Sequence, residues 1–366
     1  YQPPPFSCCV TLIGACKVIA TIIIPRHSIS SRNVSHSKIH QMKPLNIIQT
    51  TRHSFFRTRD KIIVLCFLLF ALRLRILTLR YSFPVINSPL LASSLKKTEG
   101  DVWKISILHD EFHHECKWAE FVSSTGKSAG MCVHDFDDVV SLSIINNHRW
   151  LDCDILTELW NEGQHTDKSI YVDIGANIGS CVMEMLLSTN ASIVAFEPHP
   201  KNLFCFGATL SKLDQSLQDR VVIVPIALGA SRGSSTLYSA QGNMGNSVVG
   251  TVVQDFSAQQ FLKSDQRTIQ IERMDSILSS SVDIPLMKID AQGFECYILE
   301  GLGQELADRI HVLHFEFATQ WLDAQNCTDF LDRIRRFGFD IFSKDGSLLS
   351  DVPNGNEVVA RKRTSV

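Results

Sequence analysis

From Ser169 onward, short β-branched runs alternate with stretches of helical periodicity. That rhythm constrains the chain strongly: it predicts βαβ units, hence a parallel sheet with crossover helices. Strands are expected at 170–174, 192–197, 221–224, 286–290 and 311–317. Helices are expected at 179–187, 201–212, 294–299 and 326–337. Between the third and fourth strands lies a longer excursion, where "STLYS" and "RTIQIER" read as strands around the loop "GNMGNSVVG". The expected fold class is α/β, a doubly wound sheet that takes ligands at the carboxyl ends of its strands near the switch point.

The remainder of the 366 residues divides into four segments. Residues 1–100 read as leader, targeting segment and linker, 101–168 as a cap of short strands and a helix over one edge of the core, 169–350 as the main domain and 351–366 as a tail. Residues 1–80 hold 12 Lys and Arg against the single acid Asp60, which leaves 23 basic and 37 acidic residues for the rest, a net of −14. An acidic body argues against a nucleic-acid partner, which needs a basic face. The basic, acid-poor front end reads as targeting or membrane-flanking sequence. Its apolar run 62–72 falls short of the roughly 20 residues that span a bilayer, although Ile76, Leu77 and Leu79 extend it past Arg73 and Arg75. With translation from Met42 the segment resembles a single-pass signal-anchor with a lumenal body. The other readings are an uncleaved signal peptide, an organellar transit peptide, a cytoplasmic body, or untranslated sequence.

The 11 cysteines include no C-x-x-C pair. Cys181, Cys205 and Cys296 fall on expected helices and read as small buried hydrophobes. Cys116, Cys132 and Cys153 precede the core, and two of them can pair in a lumenal body. The triplets at Asn190 and Asn326 fit such a body, though they also arise by chance. "HDEFHHEC" sets His109 and His113 one helical turn apart, but it lacks the H-E-x-x-H order and a third ligand, so no metal is expected.

Three stretches carry chemistry. In "YVDIGANIGS", Asp173 ends the first strand, Gly175 permits a tight turn close to a ligand, and Gly179 keeps the next helix near it. The G-x-x-x-G spacing differs from the G-x-G-x-x-G that cradles a dinucleotide pyrophosphate, so a cofactor without phosphates suits it better. In "AFEPHP", Glu197 follows Gly175 by 22 residues, the spacing at which an acid takes ribose hydroxyls; otherwise it is a surface acid at a strand end. In "IPLMKIDAQGFECYILEG", Asp290 ends a buried strand, Gly293 opens a helix, and Glu295 complements its dipole or faces the cleft.

Together, "VDIGANIG", "AFEPHPKN", "VPIALG" and "KIDAQGFE" resemble the FkbM-type family of S-adenosylmethionine-dependent methyltransferases over roughly 169–316. The cap resembles that of the family's eukaryotic members. The resemblance implies a Rossmann-like class I methyltransferase fold, S-adenosyl-L-methionine as cofactor, and methyl transfer to a hydroxyl of a glycan or small-molecule natural product. By motif match, Asp173, Gly175, Ala176, Asn177 and Gly179 would hold the methionine part, Glu197 the ribose and Ala227 the adenine side. Asp290 would sit beside the sulfonium and is the first candidate base, followed by Glu316 and His199. Gln292 stands where the family commonly has Glu. The competing readings are an NAD-dependent oxidoreductase and a non-catalytic binding module on the same sheet.

Overall fold

The structure, a computed structural model, describes residues 88–96, 116–136, 138–163, 165–240, 242–250, 261–343, 346–350, 352 and 355–363. The apolar run 62–72 and the histidines 109 and 113 lie outside the described residues, among which no helix is long and apolar enough to cross a membrane.

The first described element is α1 (Pro89–Ser94), within the segment read as linker. Its Leu91 is fully buried in the core, so the fold begins before residue 100. An antiparallel hairpin follows, β1 (Lys117–Val122) and β2 (Ser128–Val133), then α2 (Val139–Asn147), a 3₁₀ turn at Leu151–Cys153 and α3 (Asp154–Glu162). These elements bury Phe121, Met131, Ile144 and Leu156 against a face of the sheet, rather than its edge alone.

The core opens with β3 (Ser169–Ile174), buried at every position as a central parallel strand should be. Its alternation sends Ile170, Val172 and Ile174 into one apolar cluster and Tyr171 into the other. It continues with α4 (Ser180–Ser188), β4 (Ser192–Phe196), α5 (Pro200–Leu210) and β5 (Val221–Val224). Buried Glu184 on α4 fixes the cap to this core: its carboxylate accepts from Ser124 N–H at 2.9 Å and Thr157 Oγ1 at 2.8 Å.

The excursion forms its own four-stranded sheet from β6 (Ala227–Leu228), β7 (Gly233–Ala240), β8 (Val248–Val249) and β9 (Phe261–Glu272). The main sheet resumes with β10 (Asp283–Ile289), α6 (Glu295–Glu300), β11 (Ile310–Phe317), α7 (Thr319–Ala324), α8 (Phe330–Arg336), β12 (Phe339–Phe342) and β13 (Asn356–Lys362). The helix expected at 326–337 begins only at Phe330, and α7 precedes that range altogether. Asn326, with a left-handed φ of 57°, lies in the connection between α7 and α8. The boundary drawn at 350 also falls short, because β13 pairs antiparallel with both β11 and β12. Alternating Val358 and Ala360 bury in one cluster and Val359 in the other, which a surface tail has no reason to do.

The seven strands run in the order β12-β13-β11-β10-β3-β4-β5. The chain starts mid-sheet at β3, winds out to β5, then crosses back to β10 on the other side. The switch point therefore falls between β3 and β10, and the loops there diverge to leave a crevice.

Two cysteine expectations are corrected. Cys181 is bonded to Cys153 and Cys296 to Cys327, while Cys116 pairs with Cys132; only Cys205 among the described cysteines is a free buried thiol. Helical positions beside apolar residues suit a buried thiol and a buried disulfide equally, and the partners are distant in sequence.

Candidate active site

A cavity of about 260 Å³ lies at the carboxyl ends of β3, β4 and β10, floored by Gly175 to Asn177. The turn after β3 is pinned by two bonds, with the N–H groups of Gly175 and Ala176 donating to Phe196 O at 3.0 and 3.1 Å. Gly175 has φ +78°, and a Cβ there would fall inside the Asp290 carbonyl. Only glycine lets β10 approach so closely. Gly179 does not line the cavity; its φ of +88° starts α4, and a Cβ would run into the Phe206 ring. Asn177 also has positive φ, which Asn tolerates, and its Oδ1 accepts from Ile178 N–H at 2.8 Å.

Glu197 lines the cavity and is buried. Its Oε2 accepts from Asn177 N–H at 2.8 Å and its Oε1 from His199 N–H at 2.7 Å and Asn202 Nδ2 at 3.3 Å. A carboxylate has about four acceptor positions, so one is left for a ligand hydroxyl. Burial pushes this carboxyl up to about 7, against the pull of its backbone hydrogen bonds. Ile226, Ala227, Leu228 and Leu237 supply an apolar wall suited to a flat heterocycle.

Asp173 departs from expectation. It is fully buried, does not line the cavity, and neither carboxylate oxygen has a hydrogen-bond partner. Its countercharge is Lys288, whose Nζ lies 3.5 Å from Asp173 Oδ1 and 3.2 Å from Asp290 Oδ2. Burial raises the Asp173 carboxyl and Lys288 opposes that rise. Asp290 reaches the cavity with both oxygens engaged, Oδ2 by Lys288 and Oδ1 by Gln292 Nε2 at 2.8 Å. Glu295 does not line the cavity; its Oε1 accepts from Ala291 N–H at 3.0 Å, which favours the helix-start reading.

His199 lines the cavity but is occupied at both nitrogens. Nδ1 accepts from Lys201 N–H at 3.2 Å, capping α5, so the proton sits on Nε2 and is donated to Ser239 Oγ at 2.8 Å. Burial lowers this imidazole to about 3, and it has no lone pair free to take a proton. Glu316 presents a half-buried carboxylate to the cavity, and no described residue donates to it. Burial first, then Asp290 and Glu357, push it up to about 7.

Sequence reasoning passed over several residues here. Lys288, within the quoted "LMKID", was readable as an oddity, since a lysine in a buried strand needs a partner. His314 is 1% exposed, and its Nε2 lies 2.9 Å from Glu357 Oε2 without the alignment of a hydrogen bond. Glu357 comes from the supposed tail, and Glu316 and Glu357 face each other across β11 and β13. Trp150 and Asp152 come from the cap, and Met244 from the excursion loop. Asp138 joins the last two regions, its Oδ2 capping α2 at Ser141 N and its Oδ1 accepting from Met244 N–H at 2.9 Å. No group of three or more His, Cys, Asp or Glu side chains is placed to hold a metal ion among the described residues.

The parallel sheet with an antiparallel β13 inserted beside β11, and a glycine turn facing an acid one strand away, defines a class I methyltransferase. Residues 173–341 match the family model "Methyltransferase FkbM domain". The methyl donor of this class, S-adenosylmethionine, fits the residues present, with a turn bare of side chains at Gly175, one open acceptor position on Glu197 and an apolar wall at Ala227. No curated protein matches the chain. Solved structures that resemble it include a precorrin-6y C5,15-methyltransferase from Geobacter metallireducens, 13% identical over 57% of this chain and 87% of that one, with a TM-score of 0.30. A SAM-dependent O-methyltransferase from Thermotoga maritima is 11% identical over 68% and 78%, with a TM-score of 0.33. The glycopeptide N-methyltransferase MtfA complexed with sinefungin is 11% identical over 57% and 85%, with a TM-score of 0.28.

Proposed function

We propose that the protein methylates a hydroxyl oxygen of a sugar or other hydroxylated small molecule. The observation that carries this reading is the contrast between two carboxylates in one cavity. Asp290 has both oxygens engaged, by Lys288 and Gln292, whereas Glu316 has no donor among the described residues. When bound, S-adenosylmethionine supplies a methyl group already activated by its sulfonium. An attacking hydroxyl must shed its proton, and a carboxylate raised to about 7 accepts one near neutral pH. Glu316 therefore replaces Asp290 as the proton acceptor in this reading, and Asp290 holds the acceptor or the sulfonium in line.

Trp150 and Asp152 border the same cavity, a ring face and an acid of the kind that receive a hydroxylated ring. With Asp152, Asp290, Glu316 and Glu357 set against Lys288, an anionic acceptor is disfavoured.

The test begins with calorimetric titration of the full chain with S-adenosylmethionine and, separately, NAD, with binding expected for the first alone. Methyl transfer from labelled cofactor is then followed over neutral glycosides, amino sugars, uronic acids and simple alcohols. Glu316→Gln is expected to lower turnover about 10²–10⁴-fold at nearly unchanged cofactor affinity. Full activity in that variant moves the base elsewhere, and NAD binding overturns the cofactor assignment.

A further inference from the structure

We infer that the protein carries N-linked glycans at Asn190 and Asn326, acquired as it folds in an oxidising compartment. This does not rest on the methyl-transfer reading, and its failure would leave that reading intact. Two independent observations meet in it.

The first is the state of the cysteines. Cys116–Cys132, Cys153–Cys181 and Cys296–Cys327 have Cα separations of 5.2, 5.0 and 5.8 Å, all in the range a disulfide spans. They join three different regions: Cys116 to the cap hairpin, the cap to α4, and α6 to the connection between α7 and α8. The seventh described cysteine, Cys205, is buried with its thiol pushed up to about 12, which makes it inert. A reducing cytosol does not keep three such pairs closed, whereas a secretory lumen does.

The second is the geometry of the acceptor triplets. Asn190-Ala191-Ser192 and Asn326-Cys327-Thr328 have no proline in the middle position. In each, the middle residue is an anchor, Ala191 at 1% and Cys327 at 2% exposure, while the asparagine before it is exposed. Each lies on a connection just past a helix, Asn190 after α4 and Asn326 after α7. Neither side-chain amide makes a hydrogen bond to a described residue, so a bulky polar group displaces no contact. None of the cavity asparagines, Asn177, Asn202, Asn243 and Asn246, begins such a triplet. Asn190 leads into β4, at the end of the sheet away from the cavity, so a glycan there leaves the cavity open.

In the modification, Asn Nδ2 bonds to the anomeric carbon of a sugar and the C–O bond to a lipid-linked pyrophosphate breaks. The amide proton leaves with the pyrophosphate, and no oxidant or reductant is consumed.

The experiment expresses the full chain in eukaryotic cells and treats it with peptide N-glycosidase. Peptide masses should show Asn→Asp conversion at 190 and 326; Asn33, also in such a triplet, is separated by its own peptide. Asn190→Gln and Ser192→Ala should each abolish the first conversion, and Asn326→Gln and Thr328→Ala the second, so loss does not depend on one variant's folding. Under denaturing, non-reducing conditions, an alkylating reagent should label Cys205 alone among the described cysteines. Conversion at one site upholds the inference there and overturns it at the other. No conversion at either site, or alkylation of the six paired cysteines, overturns it altogether.

Discussion

Glu197 accepts the Asn177 N–H at 2.8 Å, so the acid that follows β4 also clamps the turn that follows β3. One carboxylate thus shapes the glycine turn and also lines the cavity. The two duties cannot be separated by mutation, since whatever moves Glu197 also releases the floor of the cavity.

Glu197→Gln replaces one acceptor oxygen with an NH2 donor, so the side chain can no longer accept from both Asn177 N–H and His199 N–H. Affinity for S-adenosylmethionine is expected to fall by about 1–3 kcal/mol, roughly 5- to 150-fold in Kd by calorimetry. Unchanged affinity would remove Glu197 from the site.

Stability should depend on pH in a stated direction. Glu197, Glu295 and Glu316 are each raised from 4.5 to about 7, chiefly by burial. The native chain then binds protons more tightly than the unfolded one, so their contribution is full below about 4.5 and is lost as pH rises through 7. His199, lowered from 6.5 to about 3, pulls the other way below pH 6.5, but it is one group against three. The melting temperature of the cofactor-free protein is expected to fall between pH 5 and 7.5, less steeply in Glu316→Gln. A rise over that range would contradict the assignment.

Lys288 is the countercharge of an aspartate that water does not reach. Lys288→Met is expected to cost about 3–5 kcal/mol in denaturant unfolding, because it strands the Asp173 charge. Adding Asp173→Asn should recover a good part of the loss. Strictly additive losses would mean that the pair does not interact.

Gly175→Ala is expected to lower stability by more than the ~1–3 kcal/mol of a left-handed non-glycine residue, since its Cβ also meets the Asp290 carbonyl. Gly233, with open space around it and ordinary φ, is the control. Equal melting temperatures for the two alanine variants would refute the close approach of β10.

Replacing Cys153 and Cys181 together by serine should cost about 2–4 kcal/mol by freeing a loop of 28 residues. Peptide mapping without reductant should at the same time lose the fragment that joins α3's start to α4.

The alternation of apolar runs and helical periodicity determined a doubly wound α/β sheet by itself, because side-chain period and turn chemistry are local properties. For the same reason the glycine turn at Gly175 and the acid at Glu197 were legible: each follows a strand, and a strand's carboxyl end is where such a sheet binds ligands. Tertiary structure decided what lies across strands. Asp173 and Asp290 each sit at the carboxyl end of a strand and look alike in sequence, yet the first is fully buried off the cavity while the second opens on it. Lys288 meets both, Asp290 from two residues away along the chain and Asp173 only through β3–β10 register. Glu357 reaches the site only because β13 inserts beside β11, and Cys153 meets Cys181 only because the cap folds onto α4. Charge balance and covalent pairing depend on distances between segments far apart in sequence, and packing of the whole chain sets those distances.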